Sequence, residues 1–167
     1  MPFKFMSLNI WAHGTLLDNA IGFIQKENPD IVSLQEVCNG ADTRLEKGRR
    51  SLSILKKSIQ MKYCSFAQAF FEINRGVRVE SGNAVFSRFP IIKEDVVFFD
   101  VPYGEVELGG TDFSYTPRNM QHVAIKIGDN VVNVFSTQGI WGRDGEDNQR
   151  RLEMCKTIAA KTKDTKH

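Results

Sequence analysis

The sequence has few cysteines, and they lie far apart. Cys38, Cys64 and Cys155 are the three cysteines among 167 residues, and none belongs to a CxxC pair or to a Cys/His zinc pattern. An odd number of isolated cysteines argues against a disulfide framework and against a structural zinc site. We therefore predict reduced thiols and a cytoplasmic location, with an exported mature form as the alternative.

Long hydrophobic runs and a strong excess of one charge are also lacking. No stretch reaches the ~20 apolar residues of a membrane span, so we predict no transmembrane segment. The chain has 22 lysines and arginines against 20 acidic residues, a formal net charge of +2. Such a balance excludes a strong non-specific attraction to nucleic acid or anionic membranes. Any phosphate contact must therefore be local.

The apolar residues that are present alternate between strand and helix patterns. Residues 3–10 and 31–36 are apolar on both faces, which is typical of central strands. Between them, apolar residues recur at helical spacing until Asn28-Pro29, where proline disfavours a helical residue before it. The pattern predicts an α/β protein, with one domain over residues 1–160 and a basic tail over 161–167. Further predicted elements are a helix around Leu52–Ile59, strands at 62–71, 77–87, 96–101, 118–127 and 131–136, and a last helix from about residue 149.

Polar side chains stand at the ends of three predicted strands. They are Asn9, Glu36 and the group "STQG" at 136–139. Strand ends on one edge of a sheet meet at a common crevice. A lone carboxylate with amides and water around it suits Mg²⁺, which keeps much of its hydration shell. The alternative is that Glu36 is a solvated acid and Asn9 a turn-forming amide.

Four phrases occur in order along the chain: "LNIW", "PDIVSLQEV", "SGNAVFSRFPI" and "NVFSTQGIWG" continued by "NQRRLEMCKTI". Read together, they resemble the endonuclease/exonuclease/phosphatase superfamily, and specifically its N-terminal portion. The resemblance implies a two-layer β-sandwich flanked by helices, with metal-dependent phosphoesterase activity. It implies Mg²⁺ or Mn²⁺ as cofactor, with Asn9 and Glu36 as its ligands.

The resemblance also suggests residues that contact substrate. Asn83, in "SGNAV", is expected to line the substrate cleft, although Gly82-Asn83 is equally well explained as a turn at the start of a strand. Arg118 and Asn119 are expected to contact phosphate, and a solvated charge is the alternative for Arg118. Two aromatic residues near the same edge, Trp11 and Trp141, either wall the cleft or pack against the protein, and packing is preferred.

Two departures from the family pattern affect the function. Thr137 is followed by Gln138 where the family has a threonine-histidine pair, and a glutamine cannot carry a proton at neutral pH. The catalytic positions that the resemblance implies are therefore Asn9 and Gln138, the latter at the position of the family's histidine. After residue 150 there is no "GDFN"-like or "SDH"-like phrase. The resemblance thus implies the first part of a catalytic domain, incomplete at its C-terminus, whose open sheet edge invites self-association or a second chain.

Two functions remain open at this point. The first is Mg²⁺-dependent hydrolysis of a phosphodiester or phosphomonoester, with a small molecule, a lipid head group or nucleic acid as substrate. The second is a catalytically degenerate binding or interaction module that keeps the fold and the metal site.

Overall fold

The computed structural model describes residues 2–11, 14–107, 113, 115–141, 147–163 and 165. Within these residues the chain forms seven strands, three α-helices and a short 3₁₀ turn at Gly48–Arg50. The strands are β1 (Phe5–Asn9), β2 (Ile31–Gly40), β3 (Tyr63–Asn74), β4 (Val77–Ser87), β5 (Ile91–Phe98), β6 (Asn119–Ile127) and β7 (Asn130–Thr137), and the helices are α1 (Leu17–Glu27), α2 (Ser51–Ser58) and α3 (Gln149–Lys163).

The strands form two sheets that pack face to face. The four-stranded sheet has the order β1-β2-β4-β3, and the three-stranded sheet has the order β5-β6-β7. β1 pairs with β2 in parallel, whereas the other pairs are antiparallel. Helices α1 and α2 cover the outer face of the four-stranded sheet through a shared apolar core. The predicted two-layer sandwich with flanking helices is therefore confirmed.

Strand β2 lies at the centre of this arrangement because both of its faces are apolar. Val32 and Leu34 pack with the helices, whereas Ile31 packs with residues of the three-stranded sheet. All three side chains are fully buried. A strand covered on both faces loses the simple apolar/polar alternation, as the sequence indicated.

Several element boundaries differ from the sequence prediction. β2 continues to Gly40 although its predicted end was Glu36, because backbone pairing with β4 persists after the apolar pattern stops. A Cβ at Gly40 would lie 2.6 Å from Leu45 Cδ1 and 2.7 Å from the Arg49 carbonyl oxygen, so this strand end needs glycine. β5 begins at Ile91, earlier than predicted, and α3 runs to Lys163, into the segment assigned to the tail.

The space between the two sheets changes from apolar to polar along the strands. One end is filled by Ile31, Val85, Val123, Ile125, Ile127 and Val134. At the other end, polar side chains pair across the sheets: Ser33 Oγ donates to Ser136 Oγ at 2.6 Å, and Gln121 Nε2 donates to Ser65 Oγ at 2.8 Å. Buried hydrogen bonds of this kind fix how the sheets are aligned.

The helices have no membrane-spanning character. Among the helices that the structure describes, none is both long enough and apolar enough to cross a membrane.

Candidate functional site

Glu36 lies on a β-bulge within β2. Gln35 and Glu36 together stand opposite Asn83 of β4, and the backbone of Glu36 has a φ of +63°. A bulge re-aims the side chain that it carries. The neighbouring strands are very close here, since a Cβ at Gly82 would lie 2.0 Å from the carbonyl oxygen of Ala67. The carboxylate is thus placed by strand geometry inside β2, not at the strand end that the sequence predicted.

Four side chains from separate parts of the chain form a hydrogen-bonded series at this bulge. Asn9 Nδ2 donates to Glu36 Oε1 at 3.0 Å, and Gln138 Nε2 donates to the same oxygen at 2.6 Å. Arg118 donates through a terminal guanidinium nitrogen to Gln138 Oε1 at 2.6 Å. We call Asn9, Glu36, Arg118 and Gln138 the site quartet. The structure thus brings together residues that are up to 129 positions apart in the sequence.

Gln138 keeps the charged members of the quartet apart. Within the described residues, the Glu36 carboxylate and the Arg118 guanidinium are connected through the Gln138 amide and form no direct ion pair. The second carboxylate oxygen, Glu36 Oε2, accepts no hydrogen bond from the described part of the chain. A half-buried carboxylate that is not neutralised by contact with a cation remains available to one.

Arg118 is a largely desolvated cation. Burial lowers the pKa of its guanidinium from the ordinary value, and the Glu36 carboxylate partly opposes this shift. The group still stays protonated, because arginine does not lose its proton in proteins. Its Nε is buried and has no hydrogen-bond partner among the described residues. The alternative of a solvated charge is therefore wrong, and a buried N–H on a cation suits an anionic ligand.

Asn83 and Asn119 lie beneath the quartet and are almost fully buried. Asn83 Nδ2 donates to Asn119 Oδ1 at 3.0 Å, and Asn119 Nδ2 donates to the carbonyl oxygen of Gln68 at 2.8 Å. Both residues line a cavity of about 10 Å³ together with Arg118 and Gln138. A space of this size holds about one water molecule. Asn83 is inside β4, so the turn interpretation of Gly82-Asn83 is wrong.

Asn9 also makes the turn that the sequence suggested as an alternative. Its Oδ1 accepts a hydrogen bond from the Trp11 backbone N–H at 2.8 Å, while its amide nitrogen faces Glu36. Trp11 has a φ of +54° and is 61% exposed, so the preference for packing is wrong for this residue. Trp141 is 43% exposed and contacts Phe113 edge to face. Nothing in the sequence pattern indicates a left-handed backbone at a tryptophan.

The donor set at the bulge fits a hard divalent cation with few protein ligands. No group of three or more histidine, cysteine, aspartate or glutamate side chains able to hold a metal occurs in the described residues. The groups present are one carboxylate, Glu36, and the exposed amide of Asn9. Mg²⁺ and Mn²⁺ accept oxygen ligands of this type and complete their coordination with water and substrate phosphate, whereas zinc prefers sulfur and imidazole.

The described residues thus form a helix-flanked two-sheet β-sandwich with a carboxylate and an arginine, joined by a glutamine, at one end. The match to a family model is more specific: the chain belongs to the Endonuclease/Exonuclease/phosphatase family, whose model covers residues 6–163. Members of this family are hydrolases.

Solved structures of the same fold include an endonuclease/exonuclease/phosphatase family protein from Leptotrichia buccalis, with a TM-score of 0.65 and 16% identity over 99% of this chain and 64% of that one. TDP2 from Caenorhabditis elegans has a TM-score of 0.58 and 19% identity over 96% of this chain and 40% of that one. D. rerio TDP2 complexed with a single-strand DNA product has a TM-score of 0.65 and 13% identity over 98% of this chain and 56% of that one.

These similarities cover only part of each solved protein. The chain spans 64% of the Leptotrichia buccalis protein and 40% to 56% of the two TDP2 proteins. At these identities the likeness concerns the fold. Comparison with curated protein sequences finds no significant match.

Proposed function

We propose that this chain carries the metal-binding part of a phosphoester hydrolase that depends on Mg²⁺, or on Mn²⁺. The observation that supports this most directly is the placement of Glu36. Its carboxylate is set on a bulge, held by two amides, and separated from Arg118 by Gln138. A structural glutamate next to a buried arginine would gain more from direct pairing, so the separation favours a role for the free charge.

In this proposal each member of the quartet has a separate task. Glu36 and, through its Oδ1, Asn9 would hold the cation, and the bound cation would polarise the phosphoryl oxygens of the substrate. Arg118 supplies a largely buried positive charge beside the phosphate. Gln138 orients both charged groups and donates or accepts a hydrogen bond at the reacting phosphate. Asn83 and Asn119 form the floor of the substrate cleft beneath them.

Gln138 limits the chemistry that this chain supplies. An amide has no proton to give or take at neutral pH, so the position cannot perform general acid or base catalysis. Loss of such a group costs on the order of 10² to 10⁴ in rate. This favours, as the second candidate function, a degenerate module that binds the metal and a phosphate ligand without turnover.

The substrate class follows only in outline from the family and the charge. D. rerio TDP2 was solved with a single-strand DNA product, so nucleic acid is one candidate beside small phosphodiesters and lipid head groups. The net charge of +2 disfavours long duplex DNA, whose tight binding needs many phosphate neutralisations. A cytoplasmic location, a domain over residues 1–160 and completion of the sheet by another copy or chain remain predictions.

The test is Mg²⁺-dependent hydrolysis of bis(p-nitrophenyl) phosphate by the full chain, compared with Glu36→Ala. Glu80→Ala is the matched control, because Glu80 is also a hydrogen-bonded strand glutamate but pairs with Arg78 away from the quartet. We expect activity that Glu36→Ala abolishes and Glu80→Ala keeps. Mg²⁺ binding that requires Glu36 but gives no hydrolysis would establish the binding module. Hydrolysis unaffected by Glu36→Ala would contradict both candidates.

A further inference from the structure

Trp11 is held firmly in an unfavourable backbone conformation while its side chain is left in solvent. A φ of +54° is unusual for a bulky residue. The conformation is fixed by three hydrogen bonds: the Trp11 N–H donates to Asn9 Oδ1 at 2.8 Å, and its carbonyl oxygen accepts from the N–H groups of Gly14 and Thr15, both at 2.9 Å. Strained residues of this kind are concentrated at functional sites.

Trp141 is a second exposed indole, in the segment that follows β7. It follows Ile140, which is buried and whose N–H donates to Met154 Sδ at 3.3 Å, so the backbone before the ring is anchored. The Trp141 ring contacts Phe113 with its centroid 6.2 Å away and the two planes at 81°. This edge-to-face contact supports the ring and leaves 43% of the residue exposed.

Both tryptophans are close in the chain to residues that donate to the same oxygen of Glu36. Asn9 and Gln138 each donate to Glu36 Oε1. Consecutive Cα atoms are 3.8 Å apart, so the Trp11 Cα lies within about 7.6 Å of the Asn9 Cα, and the Trp141 Cα within about 11.4 Å of the Gln138 Cα. The backbone of each tryptophan therefore lies within about two nucleotide lengths of a residue of the quartet.

We propose that Trp11 and Trp141 are stacking residues that select a phosphodiester flanked by planar bases, so that the substrate is a single-stranded nucleotide chain. This inference rests on the proposed phosphoesterase function. Exposed aromatic faces beside a phosphate site are how proteins hold unpaired bases without reading their sequence. The bases of a duplex are stacked on one another and are not available to these rings.

The charge distribution favours bases over a bilayer surface. With a net charge of +2, affinity for a polyanion has to come from stacking more than from phosphate neutralisation. Membrane-surface binding relies on a contiguous apolar face with basic residues beside it. The side chains of Asn9 and Gln138, close to the two tryptophans in the chain, are instead polar and donate to the Glu36 carboxylate.

The composition of the chain makes the test specific. It contains two tryptophans in total, so selectively excited indole emission reports Trp11 and Trp141 together, and a Trp141→Phe variant reports Trp11 alone. The probe is a short oligothymidylate, added without divalent cation so that binding is measured apart from turnover. The ligand control is an abasic oligomer with the same number of phosphates.

We expect the oligothymidylate to quench both indoles and to bind more tightly than the abasic oligomer. Trp11→Leu should weaken binding about tenfold, the lower part of the range for one stacked base, whereas Trp11→Phe should retain most of it. Affinity is read from the anisotropy of a labelled oligomer. Recovery by phenylalanine separates stacking from a general folding defect, because leucine and phenylalanine meet the same backbone constraint.

Three results would overturn the inference. They are equal affinity for the abasic oligomer, unchanged affinity in Trp11→Leu, and a shift of indole emission on phosphatidylcholine vesicles in place of quenching by the oligomer. The outcome is independent of the hydrolysis assay. Base-dependent binding without hydrolysis would support the stacking inference and reject the proposed activity. Hydrolysis of a generic diester without any base preference would support the activity and reject the stacking inference.

Discussion

The structure contains two arginine–glutamate arrangements that use the same residue types in different ways. Arg49, in the 3₁₀ turn after β2, donates directly to the carboxylate of Glu72 on β3. Arg118 and Glu36, at the other position, are separated by the Gln138 amide. The Glu72 side chain is 7% exposed and that of Arg49 19%, so the first pair is almost completely removed from water.

The difference between the two arrangements shows when a glutamate stabilises the fold and when it can bind a ligand. Burial raises the pKa of Glu72 even with Arg49 beside it, so desolvation outweighs the attraction between the two charges. The Glu72 carboxylate is paired inside the protein and is not accessible to a ligand. Glu36 is less buried, shares one oxygen with two neutral amides, and has its charge uncancelled by contact. Direct pairing fixes a fold, whereas separation by a neutral side chain leaves a charge for a ligand.

The largest expected effect comes from breaking the direct pair. Glu72→Ala leaves Arg49 buried without its carboxylate, and we expect a loss of about 3 kcal/mol in the free energy of unfolding. Urea denaturation measures it. Glu36→Ala in the same assay should have a much smaller effect, because Arg118 keeps its hydrogen bond to Gln138. An equal loss in the two variants would remove the distinction between the pairs.

Removing the Gln138 amide should allow Arg118 and Glu36 to form a direct ion pair like that of Arg49 and Glu72. Gln138→Leu keeps the volume but loses both hydrogen bonds, so that Arg118 can approach Glu36 and compete with the cation. We expect the affinity for Mn²⁺ to fall about tenfold, as for other groups that orient a metal ligand. Isothermal titration calorimetry measures it.

The control and the rescue for this variant follow from the structure. Gln25→Leu is the matched control, since Gln25 is on helix α1 and donates to the Ser58 carbonyl oxygen and not to a member of the quartet. Arg118→Met combined with Gln138→Leu should recover much of the lost affinity, because the competing cation is gone. Unchanged Mn²⁺ affinity in Gln138→Leu would show that the bridge does not protect Glu36.

A smaller effect concerns the pH dependence of the stability that Glu72 contributes. Folding raises the pKa of Glu72, so protonated Glu72 stabilises the folded protein. This contribution is fully present below the ordinary glutamate pKa of about 4.3 and is lost as the pH rises through the raised pKa. The stability of the wild type relative to Glu72→Gln should therefore decline from pH 4 to pH 7. A rising difference would contradict the sign of this shift.

The smallest expected effect concerns thiol reactivity near the direct pair. Burial raises the pKa of Cys38 to about 11, with Ser81 and Arg49 opposing the shift. Cys155 is exposed and should react first with a thiol reagent, followed by mass spectrometry. We expect Glu72→Ala to accelerate labelling of Cys38 and Glu36→Ala to leave it unchanged. Fast labelling of Cys38 in the wild type would show that this region opens readily.

The sequence predicts the layers of this fold better than it predicts the site. The apolar run at 31–36 and the stop at Asn28-Pro29 correspond to β2 and to the end of α1, and the predicted strand 77–87 matches β4. These features depend on local pattern. The continuation of β2 to Gly40 does not, because it rests on backbone pairing with β4 after the side chains have become polar.

The site shows the same limit more strongly. The resemblance placed Asn9 and Glu36 together, and the structure has them in hydrogen-bond contact. The bridge from Gln138 to Arg118 joins two segments of the three-stranded sheet through side chains, and no local pattern encodes it. The exposure of Trp11 was also unpredictable, since an aromatic residue after a strand usually packs.

The backbone at Glu36 has an evolutionary consequence. Its φ of +63° costs a side chain with a Cβ on the order of 1 kcal/mol, whereas glycine adopts this conformation freely. Once selection for activity is relaxed, replacement of Glu36 by glycine would relieve this backbone strain while removing the carboxylate. A design procedure that optimises thermal stability alone would favour the same replacement. Glutamate therefore has to be retained at position 36 in any redesign intended to preserve function.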